Sequence, residues 1–436
     1  MMWRRLAVAV AALTAAGTGG CAASSGSSSP TEPTGPALAV GPAATPSLPA
    51  ATSAQLLSGQ WSTLPAAPIA DGDGASVVWT GNELLVWGGA SGAEDRQLHA
   101  DGAAYDPGSG AWRLLPASPL SPRVGQAAVW TGTEMVIWGG DQRGGANPSS
   151  ATGDGAAYDP ATNRWSLLPA APLSPRADAT AIWTGAEVVV LGAETSQADG
   201  SSQNHGDGAA YDPSTNRWQH IPAPVPPSGH TLTLGTATQT DGQLLAWSEW
   251  SLTTPGGANS FTTTGGADLF AYAEQTGRWR LIPNAAGALP DVEEALSTGQ
   301  QAIVRGITYY CGGCPGPATP EVSDLYDPAH NHWTPLPPDP ADALGGMDSA
   351  WTGAALFSFN PGASATNPSD PSQDIVPGDA SAYDFGHKVW YLLPAAPSGC
   401  NDEQSSEPVW TGTAVVLYCP DSESSGGAGL VFTAGG

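Results

Sequence analysis

Short apolar runs separated by Gly, Asp, Asn and Pro recur from about residue 60 to the end of the chain. The stretch ASVVWTGNELLVWGG (75–89) has an apolar run, a Thr-Gly turn and a second apolar run, and GQAAVWTGTEMVIWGG (125–140) repeats it. No helical period of comparable length appears, and the flanking turn residues predict a β-hairpin. Weaker copies of this inner hairpin lie at 177–193, 347–360 and 406–419.

A second predicted hairpin is marked by a Tyr and a Trp seven residues apart. Between them lies a turn such as DPATN, in which Pro fixes φ, the Asp side chain caps the turn, and Asn tolerates a left-handed backbone. Two hairpins give four strands, and four-stranded units of about fifty residues are typical of β-propeller blades. The six pairs are Tyr105 and Trp112, Tyr158 and Trp165, Tyr211 and Trp218, Tyr272 and Trp279, Tyr326 and Trp333, and Tyr383 and Trp390.

The two ends of the repeat region complement each other. Trp61, in GQWSTLPAAP, matches the ends of the other blades but has no Tyr seven residues before it. At the other end, GAGLVFTAGG places Phe432 where Tyr105 lies in the first repeat. We therefore predict seven blades, the last of them closed by the N-terminal strand, because closure removes two exposed strand edges. Six blades is the alternative.

An apolar strand ending in Gly-Gly, then Tyr-Asp-Pro, then Trp seven residues after Tyr, resembles the kelch repeat. The resemblance covers about residues 58–436; it is strong in the first three repeats and weakens in the fourth, where 241–279 lacks Gly-Gly and Tyr-Asp-Pro. It implies an all-β, kelch-type propeller. Kelch propellers include binding proteins, galactose-oxidase-like enzymes and a sialic-acid mutarotase group, so the fold alone does not choose the function.

The chain opens with MMWRRLAVAVAALTAAGTGGC. Two arginines precede an apolar run over 6–16 that is too short to span a bilayer, which predicts an export signal over residues 1–20. The segment resembles a bacterial lipoprotein signal, in which cleavage before a Cys frees it for lipidation. Gly20 fits the position before the cut, whereas Thr18 stands where that family usually has Leu. The resemblance implies an extracytoplasmic protein anchored to the cell membrane by lipidated Cys21; the alternative is a secreted protein.

Residues 21–57 are mostly Ala, Ser, Thr, Gly and Pro, which predicts a disordered linker before a propeller over 58–436. Residues 1–20 hold two of the 13 basic residues and none of the 40 acidic ones, so the remainder carries 11 basic against 40 acidic residues, a net charge of −29. This charge disfavours nucleic acid and anionic membranes as partners. We expect a monomer that meets the membrane only through its N-terminal lipid.

The functional face is predicted where the second strand of each blade ends and the inner strand begins. Long loops follow the second strands, and loops held by a rigid scaffold often carry function. They cover roughly 90–100, 141–153, 193–206, 248–266, 314–322 and 360–379.

Three candidate ligand-binding residues precede inner strands: Arg123 in SPRVGQ, Arg176 in SPRADA and His230 in PPSGHT. They resemble the Pro-Arg-x-x-His start of kelch blades, where such groups border the central channel. Gln126 stands where the His would be, and Pro227 where the Arg would be. The alternative is that Arg123 and Arg176 brace loops through hydrogen bonds to carbonyl groups.

Acidic residues reach the same face, and Asp71, Asp73 and Asp178 complete the predicted ligand site at the channel mouth. Two arginines inside an acidic rim would suit a neutral, hydroxyl-rich ligand or a basic peptide. The other acidic residues expected on this face are Asp291, Glu293, Glu294, Asp348, Asp402 and Glu403.

The repeated aromatic residues, including the tryptophans of the WTG motifs, are expected to pack between blades. Cys400 and Cys419 are a reasonable disulfide pair because both should lie at one face of the last blade, and Cys311 would then pair with Cys314. A lone CxxC is a weak zinc signal, so neither a metal nor another cofactor is expected.

Catalytic motifs are missing from the sequence: it has no GxSxG, no HExxH and no Asp-box repeat. The seven His residues are scattered, so no catalytic residue is assigned. The sequence favours a non-catalytic binding module for an envelope glycan or a protein partner. The alternatives are a carbohydrate-active enzyme of the galactose-oxidase-like or sialic-acid mutarotase kind, and a purely structural platform.

Overall fold

The computed structural model is an all-β protein built from seven four-stranded antiparallel sheets and two short two-stranded ones. It describes residues 48–69, 72, 74–91, 97–142, 150–196, 202–227, 232–255, 261–273, 276–282, 291–307, 321–341, 348–360, 379–397, 400, 408–419 and 428–436. Among these residues, no helix has the length and apolar character needed to cross a membrane.

The first part of the chain forms a short helix, one outer strand and three complete blades, which are β2-β3-β6-β7, β8-β9-β10-β11 and β12-β13-β16-β17. The elements are α1 (Ser53–Leu57), β1 (Gln60–Leu64), β2 (Ser76–Trp79), β3 (Leu84–Trp87), β4 (Ala90–Ser91), β5 (Gln97–Leu98), β6 (Gly102–Asp106), β7 (Ala111–Leu114), β8 (Ala127–Trp130), β9 (Met135–Trp138), β10 (Gly155–Asp159), β11 (Arg164–Leu167), β12 (Thr180–Trp183), β13 (Val188–Leu191), β14 (Glu194–Ser196), β15 (Ser202–Asn204), β16 (Gly208–Asp212) and β17 (Arg217–Ile221).

The second part forms blades 4 to 6, which are β18-β19-β20-β21, β22-β23-β24-β25 and β26-β27-β28-β29, and most of blade 7. The strands are β18 (Thr233–Thr240), β19 (Gln243–Pro255), β20 (Phe261–Ala273), β21 (Arg278–Ile282), β22 (Asp291–Ser297), β23 (Ala302–Ile307), β24 (Glu321–Asp327), β25 (His332–Pro335), β26 (Asp348–Trp351), β27 (Ala355–Asn360), β28 (Asp379–Asp384), β29 (Val389–Leu392), β30 (Val409–Trp410), β31 (Ala414–Cys419) and β32 (Ala428–Thr433).

The seven inner strands form a closed ring. In order they are β2, β8, β12, β18, β22, β26 and β30; each contacts the next, and β30 contacts β2. The predicted seven-bladed propeller is confirmed, and the six-bladed alternative is wrong. We call the face where inner strands begin the mouth face, and the opposite face, which carries the Thr-Gly turns, the turn face.

Blade 7 is built from both ends of the chain, as the sequence predicts. Its strand order is β1-β32-β31-β30, so the N-terminal strand is its outer strand. Trp61 lies opposite Phe432 in the register, and their ring centroids are 4.9 Å apart. This pairing closes the ring through backbone hydrogen bonds between the first and last strands.

Aromatic residues pack within and between the blades. Each Tyr of a Tyr–Trp pair lies opposite its Trp on the neighbouring strand, with ring centroids 5.1 Å apart for Tyr105 and Trp112 and 4.7 Å apart for Tyr326 and Trp333. The tryptophans of the WTG motifs join the apolar clusters between adjacent blades, which confirms the predicted packing role. They are Trp79, Trp130, Trp183, Trp351 and Trp410.

A hydrogen bond repeated around the rim links successive outer strands. The Nε1 group of Trp112 donates to the carbonyl oxygen of Pro65, which follows the preceding outer strand, at 2.8 Å. Trp61 makes the bond that joins blade 7 to blade 6, donating to Pro394 at 2.7 Å. The other donor–acceptor pairs are Trp165 to Pro116, Trp218 to Pro169, Trp279 to Pro222, and Trp390 to Pro337.

The segment 48–57 differs from the prediction, which placed it in the disordered linker. Helix α1 begins with a capping box between Thr52 and Gln55, and Leu56 is fully buried against blades 6 and 7. Ala51 forms a β-bridge with Gly353 in a Thr-Gly turn. The segment, which we call the strap, therefore packs across the turn face; its few apolar residues were too sparse in the sequence to signal this.

Candidate functional site

The mouth face carries hairpins that extend blades 1 to 4. Strands β4 and β5 pair beyond blade 1, and β14 and β15 pair beyond blade 3. In blade 2, Asp141 bridges both Val124 and Ala151. In blade 4, β19 and β20 continue their ladder for six pairs past the last pairing with the inner strand, up to Pro255 opposite Phe261. Four of the predicted long loops are thus partly β-structured, whereas 314–320 and 361–378 lie outside the described residues.

Two buried histidines attach these hairpins to their blades. The Nε2 atom of His99 lies 2.8 Å from the Ser91 hydroxyl, and the Nε2 atom of His205 lies 2.8 Å from the Thr195 hydroxyl. Burial lowers the pKa of His205, and the positive charge of Arg176 lowers it further against the opposite effect of Asp207. Because the arrangement recurs in blades 1 and 3, it serves to position the hairpins.

Arg123 lies fully buried beneath the mouth face of blade 2. Its Nη1 group donates to the Gly139 carbonyl at 2.9 Å and to Asp154 at 2.8 Å, and its Nη2 group also reaches Asp154. The remaining donors bind Ser121 and the Thr152 hydroxyl. All of its N–H groups are engaged, so a ligand could reach Arg123 only by displacing one of these partners.

Arg176 repeats this arrangement in blade 3. It is also buried, and its Nη1 group donates to the Gly192 carbonyl and to the Asp207 carboxylate, both at 3.0 Å. Asp207 accepts a further bond from His220. Burial raises the pKa of Asp207, but the bond to His220 and the charge of Arg176 outweigh burial and hold it below its usual range. Both arginines thus brace loops, as the alternative reading of the sequence stated.

Asp178 lies exposed at the mouth with a left-handed backbone, φ +57°. Its N–H donates to the Gly125 carbonyl at 2.7 Å, which links the starts of two neighbouring blades. Gln126, at the position where kelch blades have His, is buried and bonds the Ser76 hydroxyl at 2.8 Å. The remaining predicted ligand residues, Asp71, Asp73 and His230, lie outside the described part of the chain.

Side-chain hydrogen bonds connect neighbouring inner strands around the mouth. The Thr180 hydroxyl donates to the Gly235 carbonyl at 2.7 Å, and the Thr236 hydroxyl donates to the Val292 carbonyl at 3.2 Å. Glu293 lies exposed beside them. In the described region, the mouth therefore offers hydroxyl groups and carboxylates at its surface, with the two arginines paired to aspartates below.

Cys400 and Cys419 form a disulfide with Cα atoms 5.4 Å apart, the pairing expected from their places in blade 7. Cys311 and Cys314 lie outside the described residues. Within the described ranges, no group of three or more His, Cys, Asp or Glu side chains is arranged to hold a metal ion.

The aspartates that hold the arginines were not identified from the sequence. Asp154 and Asp207 each lie 31 residues after their arginine and begin the repeated DGAAYD motif. The constant spacing was a usable signal, because an Arg and an Asp that recur together at one interval in two repeats indicate the same ion pair in both. The first blade has Asp101 at this position but Gly72 in place of the arginine.

The family model described as the KLHDC2/KLHL20/DRC7 kelch-repeats domain matches residues 52–240, which are the strap helix, β1, the first three blades and the inner strand of the fourth. A solved structure of a novel fungal alcohol oxidase of the AA5 family, in complex with copper, aligns with a TM-score of 0.51 at 12% identity and covers 86% of this chain and 76% of that one. The search of curated proteins found no match. The chain is therefore a seven-bladed β-propeller closed by its N-terminal strand, and the part of it over residues 52–240 matches a kelch-repeat family model.

Proposed function

We propose that this protein is exported, anchored to the cell membrane through lipidated Cys21, and acts as a non-catalytic binding module. Its ligand is an envelope glycan or an envelope protein, held at the mouth face. The observation that carries the proposal is that the N-terminal strap covers the turn face, whereas the hairpins that extend the blades lie on the mouth face.

The N-terminal strap occupies the turn face. The Nε1 group of Trp410 donates to the Pro49 carbonyl at 2.9 Å, the Ala51 N–H donates to the Thr352 carbonyl at 2.9 Å, and the Ser53 hydroxyl donates to Asp384 at 2.6 Å. The described chain therefore begins on the turn face, at Leu48. The hairpins of blades 1 to 4 lie on the opposite face, which suits a module that presents its mouth away from its anchor.

The chemistry of the mouth supports a neutral or cationic ligand. Both buried arginines are neutralised by aspartates, whereas the carboxylates of Asp178 and Glu293 reach the surface. A polyanion would meet these surface carboxylates in addition to the net charge of −27 of the chain. Hydroxyl groups and carboxylates are suited to hydrogen-bonding a neutral, hydroxyl-rich glycan.

An oligosaccharide array tests the binding role, using the wild-type protein beside a mouth variant, Asp178→Asn with Glu293→Gln. Asp241→Asn is the matched control, because Asp241 is also exposed and has a left-handed backbone, φ +48°, but lies on the turn face. We expect the mouth variant to lose at least tenfold in affinity and the control to lose none. Equal binding by all three proteins would contradict a site at the mouth.

A protein ligand is tested by capture from solubilised cell envelopes with the same three proteins. A partner retained by the wild type and by Asp241→Asn, but lost from the mouth variant, would support the protein form of the proposal. Absence of both glycan and protein ligands would contradict the binding role.

Anchoring is tested separately with Cys21→Ser. We expect the wild type in the membrane fraction with an acyl mass on Cys21, and the variant in the medium. Release of the wild type into the medium without an acyl group would favour the secreted alternative.

The second candidate is a carbohydrate-active enzyme, favoured by the fold shared with the copper-bound fungal alcohol oxidase. Oxygen consumption by the copper-treated protein with galactose-type sugars tests it. Turnover above that of the untreated protein would favour an oxidase; its absence alongside saccharide binding would favour the binding module.

A further inference from the structure

We call the contact surface between two neighbouring blades a joint. The joint between blades 5 and 6, the 5–6 joint, contains buried polar side chains at positions that are mostly apolar in the joint between blades 1 and 2, the 1–2 joint. The repeats provide the comparison, because their registers align residue by residue. Arg305 stands where blade 1 has Trp87, and Ser349, Ser358 and Ser381 stand where blade 2 has Ala128, Ile137 and Ala156. In the connection between blades, Asp339 stands where Ser118 lies between blades 1 and 2.

These polar residues contact one another across the joint. The Nη1 group of Arg305 donates to the hydroxyls of Ser349 and Ser358. Ser358 lies opposite Ser381 in the register, and the Ser381 hydroxyl donates to Asp339 at 2.7 Å. Each of the five residues is at least nine-tenths buried. Polar side chains therefore replace apolar ones together, in both blades, and contact one another; none of them is an isolated polar side chain.

The polar part of the joint lies on the mouth side. Ser349 is near the start of its inner strand, and its N–H donates to Glu294 on the inner strand of blade 5 at 3.1 Å. The side of the joint toward the turn face stays apolar, with Ile303, Leu356 and Tyr383 in one buried cluster. The polar residues thus form a continuation of the mouth between two blades.

Only one of the two carboxylate oxygens of Asp339 accepts hydrogen bonds in the described structure. Its Oδ1 atom accepts from the Ala341 N–H at 3.0 Å and from Ser381, whereas its buried Oδ2 atom has no hydrogen-bond partner in the described structure. Ser118 makes the same turn bond with its hydroxyl alone, to the Leu120 N–H at 3.1 Å. The turn therefore does not require a carboxylate, and a buried carboxylate oxygen without a donor is unfavourable.

We infer that the mouth side of the 5–6 joint is a subsite for one neutral, polyhydroxylated unit of the glycan, with a ligand hydroxyl donating to Asp339 Oδ2. This rests on the proposed function and names its ligand class. The carboxylates of Asp339 and Glu294 disfavour an anion, and the guanidinium of Arg305 disfavours a cation. A sugar hydroxyl supplies the missing donor without adding charge.

Asp339→Ser tests the subsite, because Ser118 shows that serine is compatible with the same turn. Isothermal titration with the neutral saccharides selected on the array should show at least tenfold weaker binding for Asp339→Ser and unchanged binding for the Asp241→Asn control. Denaturant unfolding is run in parallel, and we expect Asp339→Ser to be at least as stable as the wild type. Should the serine variant not fold, Asp339→Asn replaces it, since it retains an Oδ1 acceptor and changes only Oδ2.

Saccharide binding by the folded Asp339 variant with wild-type affinity would overturn the subsite and leave the proposed function intact. Binding of only a protein partner at the mouth, with no neutral saccharide bound, would also overturn the subsite while supporting the proposed function. Absence of any ligand at the mouth would overturn both.

Discussion

The 1–2 joint and the 5–6 joint occupy equivalent places in the ring but are built from different chemistry. In the first, Trp87 packs against Ile137 and Tyr158 in an apolar cluster. In the second, the residue at the Trp87 position is Arg305, and serines face it. Both joints are buried, so the difference is not one of exposure. The scaffold tolerates a polar joint because the six other joints have apolar clusters and, together with the closed ring, hold the blades in place.

The two joints should contribute differently to the free energy of unfolding, because one buries apolar side chains and the other buries charged and polar ones. Burying a large apolar side chain is favourable by about 1.5–3 kcal/mol. A buried charge must recover its lost hydration from its partners, and replacing buried ionic groups with apolar ones is often neutral or stabilising. The 1–2 joint is thus expected to stabilise the fold more than the 5–6 joint does. A joint that contributes less to stability than its apolar equivalent suits a functional role.

The largest effect is expected from breaking the apolar joint with Trp87→Ala. Trp87 is fully buried, and its ring lies 6.0 Å from that of Trp165 on blade 2. Removing it leaves a cavity and should lower the free energy of unfolding by about 3–5 kcal/mol. Guanidinium unfolding monitored by circular dichroism measures this, and a loss below that of Arg305→Met would contradict the assigned difference between the joints.

A somewhat smaller loss is expected from the closing blade, where the Cys400–Cys419 disulfide spans 19 positions of sequence. The double variant Cys400→Ser, Cys419→Ser should lose about 2–4 kcal/mol, mainly because the unfolded chain gains freedom. The same unfolding experiment with and without reductant checks the value. A wild type insensitive to reductant, with the bond shown to be broken by mass, would refute the expected contribution.

The polar joint should respond in the opposite direction when it is made apolar. Arg305→Met with Ser358→Val removes the buried guanidinium and one of its partners together, and we expect the free energy of unfolding to rise by about 1–2 kcal/mol. Arg305→Met alone is the comparison, since it leaves the serine hydroxyls facing an apolar side chain. A clear loss of stability in the double variant would show that the polar joint contributes to folding rather than weakening it.

The smallest effects are expected from pH. Burial raises the pKa of Asp154, but the bond and charge of Arg123 outweigh burial and hold it below its usual range, whereas burial raises the pKa of Asp324 in blade 5. Asp154 stabilises the fold above about pH 4, and this contribution disappears as the pH falls through its lowered pKa. Asp324 destabilises the fold above its raised pKa, and this penalty disappears as the pH falls toward about 4.

Unfolding of Asp154→Asn and Asp324→Asn at several pH values checks these signs. At pH 7, the first variant should be slightly less stable than the wild type and the second slightly more stable, with both differences shrinking as the pH falls. The Asp154 effect should be modest because its side chain is half exposed. Differences of the same sign at pH 7 would refute the assignment.

The architecture was predictable because a propeller repeats one pattern. Trp61 without a Tyr and Phe432 without a Trp were enough to place the closing strand, and the register pairs these two residues. The strap was missed because it is held by hydrogen bonds to residues far away in the sequence and by the burial of Leu56, and neither leaves a periodic signal. Arg123 and Arg176 were correctly placed before inner strands, but their burial and aspartate partners depend on how separate loops meet in space.

The 5–6 joint was missed for a related reason. A single serine in a β-strand gives no signal of a buried polar cluster. Three serines form the row in the 5–6 joint, each on a different strand: Ser349, Ser358 and Ser381. Only the strand register shows that they form one row facing Arg305. The polar positions at this buried surface are related by strand register and not by a shared sequence motif.

Hydrogen–deuterium exchange of the wild-type protein, with and without a bound neutral saccharide, tests the central claim most directly. The claim is that the 5–6 joint is less stable than the 1–2 joint and binds the saccharide. We expect faster exchange for amides of Ile303 to Gly306 and Leu356 to Phe359 than for those of Leu85 to Trp87 and Val136 to Trp138 in the free protein. We also expect the saccharide to slow exchange in the first two segments only. Equal protection of the two joints, or slowing confined to the 1–2 joint, would contradict this claim.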